Sequence, residues 1–347
     1  PPAQAYYNGA LISAALPYPD YDLTGFQRGV ADNLAVMGKI LGLQVTGGST
    51  SMRDGFEKQR RAGASAREAL KQAAADRLGI NPGDLRTENG RVIAPDGTAL
   101  TYHELAEDAA LLDVPEVELR PASTWKYVGK SMPRLDMVGK VTGTAQFGID
   151  TVAEGMVFAT LRMNPRLGAG MVRFDASAAE RMAGVIKVID LGGGIAVVAR
   201  NTWLAFQAAE AVKIDWQDAP YPPENAALME AIAAAFEQKP DSTLRDDGDV
   251  DTVVDGAEIT AEYRAPWLTH ATMEPMNATA HFTGDALEIW AGNQAPIVVQ
   301  QKTAKICGLD QDQVTVHTPF MGGGFGRRGE SDFATYAAQI AKEMPAR

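Results

Sequence analysis

Two hydrophobic periodicities alternate along the chain. Over residues 25–42, Phe26, Val30, Leu34, Met37 and Ile40 recur at helical spacing until Gly42 closes the run, which predicts a short amphipathic helix. A longer Ala-rich run over 52–78 puts Met52, Phe56, Ala66, Leu70, Ala74 and Leu78 near one face and stops at Gly79. Asn89-Gly90 accepts positive φ at two successive positions and predicts a hairpin between two short strands. Thr101 and Glu104 have the spacing of a capping box and predict a helix reaching about residue 112.

Beyond residue 125 the pattern shortens. β-like runs at Met156–Met163, Val185–Leu191, Ile195–Ala199 and Val212–Trp216 alternate with helices near 176–183 and after Thr202, the order of a small α+β domain. An Ala-rich helix near 224–237 precedes the acidic stretch Asp246-Asp247-Gly248-Asp249, which predicts a solvated loop. Strands at 257–264, 278–283 and 286–291, a helix at 296–307, a strand at 313–317 and a last helix from about 330 follow. Residues 1–24, with Pro1, Pro2, Pro17 and Pro19 among tyrosines, predict an irregular covering segment. Residues 113–124 and the prolines at 220, 222 and 223 mark linkers. The expected division is therefore 1–122, 123–220 and 221–347.

Composition narrows the chemistry. At 347 residues the chain has material for two or three cores, and 46% hydrophobic with 22% charged residues describes a globular mixed α and β protein. A formal charge of -12 argues against nucleic acid, whose binding is dominated by clustered cations. No apolar run approaches the roughly 20 residues of a membrane-spanning helix. The single Cys307 cannot form an internal disulfide or hold an iron–sulfur cluster, and the four histidines have no zinc-hydrolase spacing. The chemistry is expected from a bound cofactor, with no metal ligand in this chain.

Two loops could receive one. Gly322-Gly323-Gly324-Phe325-Gly326-Arg327-Arg328 lies between a β-branched run and a helix, and the missing Cβ atoms let backbone amides approach a flat polar group. On glycine content alone an ordinary tight turn is an equal reading. Thr46-Gly47-Gly48-Ser49-Thr50-Ser51 opens the long helix, where hydroxyls and unpaired amides suit an anion, although an ordinary N-cap has the same composition. Gly192-Gly193-Gly194 is rejected as a dinucleotide site because a strand, not a helix, follows it.

The Gly-Gly-Gly-Phe-Gly-Arg-Arg loop, with Ala271-Thr272-Met273-Glu274-Pro275-Met276 upstream, resembles the molybdopterin-binding large subunits of the xanthine oxidase family. The resemblance is to the isoquinoline 1-oxidoreductase beta-subunit and membrane-associated aldehyde dehydrogenase type. Gly47 to Asp54 resembles that group's Ser/Thr-rich cofactor loop, and Pro133 to Gly143 resembles the start of its hammerhead domain. The three motifs occur in family order across residues 44–347.

The resemblance implies an α+β multi-domain subunit with an inserted α/β hammerhead domain, of which this chain is a fragment. It implies a molybdenum–molybdopterin cofactor, of the cytosine dinucleotide form, held by Gly48, Ser49, Thr50, Ser51, Gly323, Gly324, Phe325, Gly326 and Arg327. Phe325, Glu330 and Leu268 would face substrate. Leu268 stands where the xanthine enzymes carry a glutamine, and Gly329 where they carry a purine-orienting glutamate, so purine is not the expected substrate. Glu274 is read as a buried structural partner, His270 as a histidine satisfied in the core or behind the metal's own ligands, and Cys307 as core. The family's catalytic base lies in a Gly-x-Gly-Glu segment that this sequence lacks, so no catalytic residue is assigned.

The implied reaction is hydroxylation of an N-heteroaromatic compound such as isoquinoline with oxygen from water. Aldehyde oxidation is the alternative. A non-catalytic scaffold is the alternative of another class. Implied partners are a small iron–sulfur subunit carrying the clusters, the rest of the large subunit and a cytochrome c subunit. The periplasm is the compartment implied by resemblance.

Overall fold

The computed structural model describes residues 7–13, 16, 24–113, 116–243, 248 and 259–344. The chain divides into two compact units, one over Gln4–Leu16 and Asp20–Ala145 and the other over Gln146–Arg347. Most of the irregular segment expected at 1–24, residues 114–115 of the 113–124 linker and all but one residue of the acidic stretch 246–249 lie outside the described residues.

In the first unit, helices α1 (Ala10–Ser13), α2 (Gly25–Ala35) and α3 (Met37–Ile40) precede the 29-residue α4 (Thr50–Leu78). The single helix expected over 25–42 is thus two. At Val36 the N–H turns back to the Leu34 carbonyl, which interrupts the i to i−4 ladder. Strands β1 (Arg86–Glu88), β2 (Arg91–Ile93) and β3 (Ala99–Thr101) form an antiparallel sheet in that order. The β1–β2 turn uses Asn89 at φ 47° and Gly90 at φ 74°, as its dipeptide predicts. Helix α5 (Tyr102–Ala110) opens with the expected capping box between Thr101 and Glu104.

Alanines set how α4 packs. Ala73, Ala74 and Ala75 are buried with Leu85, Val92 and Leu105, because side chains this small bring the helix close to the sheet and α5. Met52, Phe56 and Ala66, expected on the packed face, are exposed. Helix α4 meets this core only along its C-terminal half, so helical periodicity extended the packed stripe too far.

The second unit carries β4 (Phe158–Met163), β5 (Met171–Asp175), α7 (Ser177–Glu180), β6 (Val185–Asp190), β7 (Gly194–Ala199), α8 (Thr202–Ala211) and β8 (Lys213–Trp216); α6 (Met137–Thr142) belongs to the first. Every residue of β7 is buried between antiparallel β4 and β6. Gly194 shows why a glycine ends the triplet: a Cβ there would lie 2.3 Å from the Arg162 carbonyl oxygen. The triplet serves strand packing and opens no helix.

After α9 (Asn225–Ala235), β9 (Thr279–Phe282), β10 (Leu287–Trp290), α10 (Pro296–Cys307), β11 (Val314–His317) and α11 (Asp332–Glu343) complete the unit. The sheet order is β11-β10-β9, with β10 antiparallel to β9 and parallel to β11 across the α10 crossover. Leu287, Val314, Ala304, Cys307 and Ala338 form one core, and Ile289, Val299, Phe333 and Ala334 the next. The strand expected at 257–264 is corrected: residues 259–264 belong to no strand and are exposed, and 257–258 lie outside the described residues. The mixture of helices and short sheets is α+β, as expected.

Candidate functional site

The glycine-rich loop leaves β11 and ends at α11. Gly323 sits at φ 105°, Phe325 at φ 50° and Gly326 at φ 83°. A left-handed phenylalanine costs on the order of 1 kcal/mol, so the surroundings must hold the loop in this shape. Among the described residues, the N–H groups of Gly323, Gly324, Phe325 and Gly326 have no hydrogen-bond partner. Phe325 projects its ring outward at 70% exposure. A ribbon of unpaired donors beside one aromatic ring is a surface for a polar group that approaches backbone closely.

A buried ion pair fixes that ribbon from behind. Arg328 is fully buried and Glu274 nearly so. The Arg328 guanidinium donates from Nε to the Gly323 carbonyl at 2.8 Å, from Nη1 to the Gly292 carbonyl at 3.2 Å, and from Nη2 to the Glu274 carbonyl at 3.0 Å. Its Nη2 also meets Glu274 Oε2 at 2.7 Å. That carboxylate in turn accepts from the N–H of Gly322 at 2.7 Å, the N–H of Ile149 at 3.0 Å and Asn277 Nδ2 at 2.9 Å. Burial pushes the Glu274 carboxyl up, but the Gly322 N–H, Asn277 amide, Ile149 N–H and Arg328 guanidinium outweigh it and hold it below its ordinary value. Glu274 is ionised and structural, the buried partner that the sequence reading expected.

Gly322 is required at this junction, since a Cβ there would lie 2.3 Å from Glu274 Cβ. The two arginines divide the work. Arg327, assigned to the cofactor by resemblance, makes a two-pronged pair with Asp332 at 2.7 Å on each arm, tying the loop to the start of α11. Arg328 is the residue that sequence reasoning missed. An arginine doublet following a glycine loop does not reveal which member turns inward. The usable signal was Glu274, since a buried carboxylate calls for a buried cation.

The Ser/Thr loop lies in the other unit. Gly48 and Ser49 occupy successive left-handed positions, at φ 57° and 58°, before α4. Ser49 makes no side-chain cap bond, so this is not an ordinary N-cap. Thr50 is buried: its hydroxyl donates to the Gly47 carbonyl at 2.6 Å and accepts from Asn8 Nδ2 at 2.9 Å. Ser49 and Ser51 are exposed, and Ser51 Oγ donates to Thr46 Oγ1 at 2.9 Å. Thr50 therefore shapes the loop from within, while Gly48, Ser49 and Ser51 lie on its outer side.

The remaining assignments separate. Leu268 is 80% exposed and Glu330 is exposed. His270 is exposed rather than satisfied in a core, as is the whole stretch 259–271, which belongs to no helix or strand. Cys307 is buried against α11, and burial pushes its thiol up, which suits core and not chemistry. No group of three or more potential metal-binding side chains occurs among the described residues, and none of their helices is long and apolar enough to cross a membrane.

Residues 235–347 match the model of the molybdopterin cofactor-binding domain. A nicotinate dehydrogenase chain of Pseudomonas putida is 29% identical over 82% of this chain and 25% of its own length. The beta chain of isoquinoline 1-oxidoreductase from Brevundimonas diminuta is 28% identical over 92% and 47%, and a membrane-bound aldehyde dehydrogenase of Gluconacetobacter polyoxogenes is 28% identical over 87% and 42%. The chain spans between a quarter and about half the length of these relatives. Among solved structures, quinoline 2-oxidoreductase from Pseudomonas putida 86 aligns over 62% of this chain and 34% of its own at 19% identity, with a TM-score of 0.48.

Proposed function

From a chain that belongs to the xanthine oxidase family of molybdenum-binding subunits, we propose that the protein is part of a molybdenum-dependent hydroxylase that takes its oxygen from water. The observation that carries this reading is the run of unpaired amides from Gly323 to Gly326, held by the buried Arg328–Glu274 pair inside the stretch that matches a molybdopterin-binding domain. The loop fits the cofactor's polar atoms, since Phe325 carries the only side chain between Gly322 and Gly326. Gly324 and Gly326 would present N–H donors and Phe325 would pack on an aromatic substrate by offset contact. Arg327 would hold the loop's exit through Asp332. Gly48, Ser49 and Ser51 would bind the cofactor's phosphate with Thr50 bracing the loop. When bound, the cofactor supplies the two-electron redox chemistry.

The finer assignments belong to the same proposal. The substrate is an N-heteroaromatic compound of the isoquinoline kind, with Leu268 and Glu330 on its side of the pocket, and aldehyde oxidation is the alternative that the relatives' names also support. The cofactor is the cytosine dinucleotide form. Electrons leave through iron–sulfur clusters on a small partner subunit, since one cysteine cannot hold a cluster, and pass to a cytochrome c subunit in the periplasm. Residues 1–122, 123–220 and 221–347 are the first cofactor-binding lobe, the hammerhead domain and the start of the main cofactor-binding domain. The full-length protein with its partner subunits should reduce a dye when given isoquinoline, and the product should carry oxygen from labelled water. Dye reduction with an aldehyde alone would select the alternative substrate, and reduction with neither would overturn the proposal.

A further inference from the structure

The first unit carries a feature that cofactor binding does not use. A cavity of about 560 Å3 is lined by Arg67, Lys71, Arg86, Arg120 and Lys126, against only two carboxylates, Glu68 and Glu88. In a chain with a formal charge of -12, such a concentration of cations marks a surface for an anionic partner. Glu68 already binds Arg67 at 2.7 Å and Lys71 at 3.1 Å, and Glu88 binds Arg86 at 2.6 Å. Arg120 and Lys126 have no carboxylate partner among the described residues.

A second cavity of about 360 Å3 shares Arg67, Arg120 and Lys126 with the first and adds Leu119, Trp125 and Val128. Trp125 is braced: its indole N–H donates to the Arg120 carbonyl at 3.1 Å, and its ring meets Phe56 edge-on at 6.1 Å. Cationic and apolar sections thus adjoin. The cationic section is bordered by β1, which is the edge of its sheet. In the register Glu88↔Arg91 and Thr87↔Val92, the two-residue turn makes the first pair hydrogen-bonded and the second not. The Thr87 N–H and C=O therefore face away from β2, and the backbone of Thr87 has no partner among the described residues.

We propose that this groove binds an extended acidic segment of a partner polypeptide, which adds its backbone beside Thr87, sets carboxylates on Arg120, Lys126, Arg67 and Lys71, and places an apolar side chain on Trp125. A small anion would use the cations but neither the strand edge nor the neighbouring apolar cavity, and so the peptide uses more of what is present.

The test is fluorescence anisotropy of a fluorescein-labelled peptide of alternating Glu and Val ending in Phe, titrated into the full-length protein with its partner subunits. Saturable binding tighter than about 1 mM is expected, weakening with added salt. Arg120→Glu combined with Lys126→Glu should weaken binding at least about tenfold, because exposed rim charges reverse sign. Thr87→Pro, which removes an outward donor at an edge position that tolerates proline, should also weaken it while leaving the circular dichroism spectrum unchanged. Phthalate should compete only at far higher concentration. No saturable binding, or equal affinity in the charge-reversed protein, overturns the proposal. Competition by phthalate at the peptide's own concentration range, with Thr87→Pro silent, overturns it in favour of a small-anion site.

Discussion

Arg328 and Glu274 are the pair on which the glycine loop depends. Each alone is a buried charge, and each is compensated by the other and by the backbone groups of Gly322, Gly323 and Gly292. Arg328→Met strands the carboxylate, and breaking a buried pair of this kind costs about 3–5 kcal/mol. Urea unfolding of the full-length protein should register that loss. Arg328→Lys should recover only part of it, since an ammonium cannot reach four acceptors that a planar guanidinium spans. The pH dependence follows from the Glu274 carboxyl lying below its ordinary value. A depressed carboxylate stabilises above the unfolded value, and that contribution disappears as pH falls through the folded one. The stability gap between wild type and Glu274→Gln should therefore be largest above the ordinary carboxylate range and close as pH falls through the lowered folded value. A gap independent of pH would show that Glu274 is held protonated.

At the scale of elements, local chemistry was the most legible part of the sequence. The hairpin at Asn89-Gly90, the capping box at Thr101 and the span of α10 depend on neighbouring residues alone, and the structure shows each where the pattern put it. Features that depend on distant partners were not legible. Met52 and Phe56 have helical spacing but nothing to pack against in the core, and residues 259–264 have strand composition but no ladder. The inward turn of Arg328 depends on carbonyls 36 and 54 positions away in sequence, which no local pattern reports. Two substitutions probe the elements. Thr101→Ala removes one half of the capping box and should cost about 1 kcal/mol in a thermal melt. Gly194→Val forces a side chain against the Arg162 carbonyl in the buried β4–β7 pair and should cost about 1–3 kcal/mol or more. If Gly194→Val melts like wild type, the close approach of β4 and β7 is wrong.

For the whole molecule, the two loops lie in separate compact units. What links them is shared character: each presents backbone amides without partners at left-handed positions, and each is held from behind by a buried side chain, Arg328 in one and Asn8 with Thr50 in the other. Each loop is thus a polar surface of backbone donors with little side-chain chemistry of its own, which fits the proposed role of receiving a bound group. The Gly324→Val substitution covers the loop's amides with a side chain that would also crowd Gln294, while Arg328 and Glu274 keep their bonds. The most direct test is the molybdenum and pterin content of the full-length, partnered protein, measured for wild type and for Gly324→Val at matched folding. Stoichiometric molybdenum and pterin in wild type, with both lost in the variant, is the expected result; a metal-free wild type, or a variant that retains its full complement, would contradict the assignment of this loop to the cofactor.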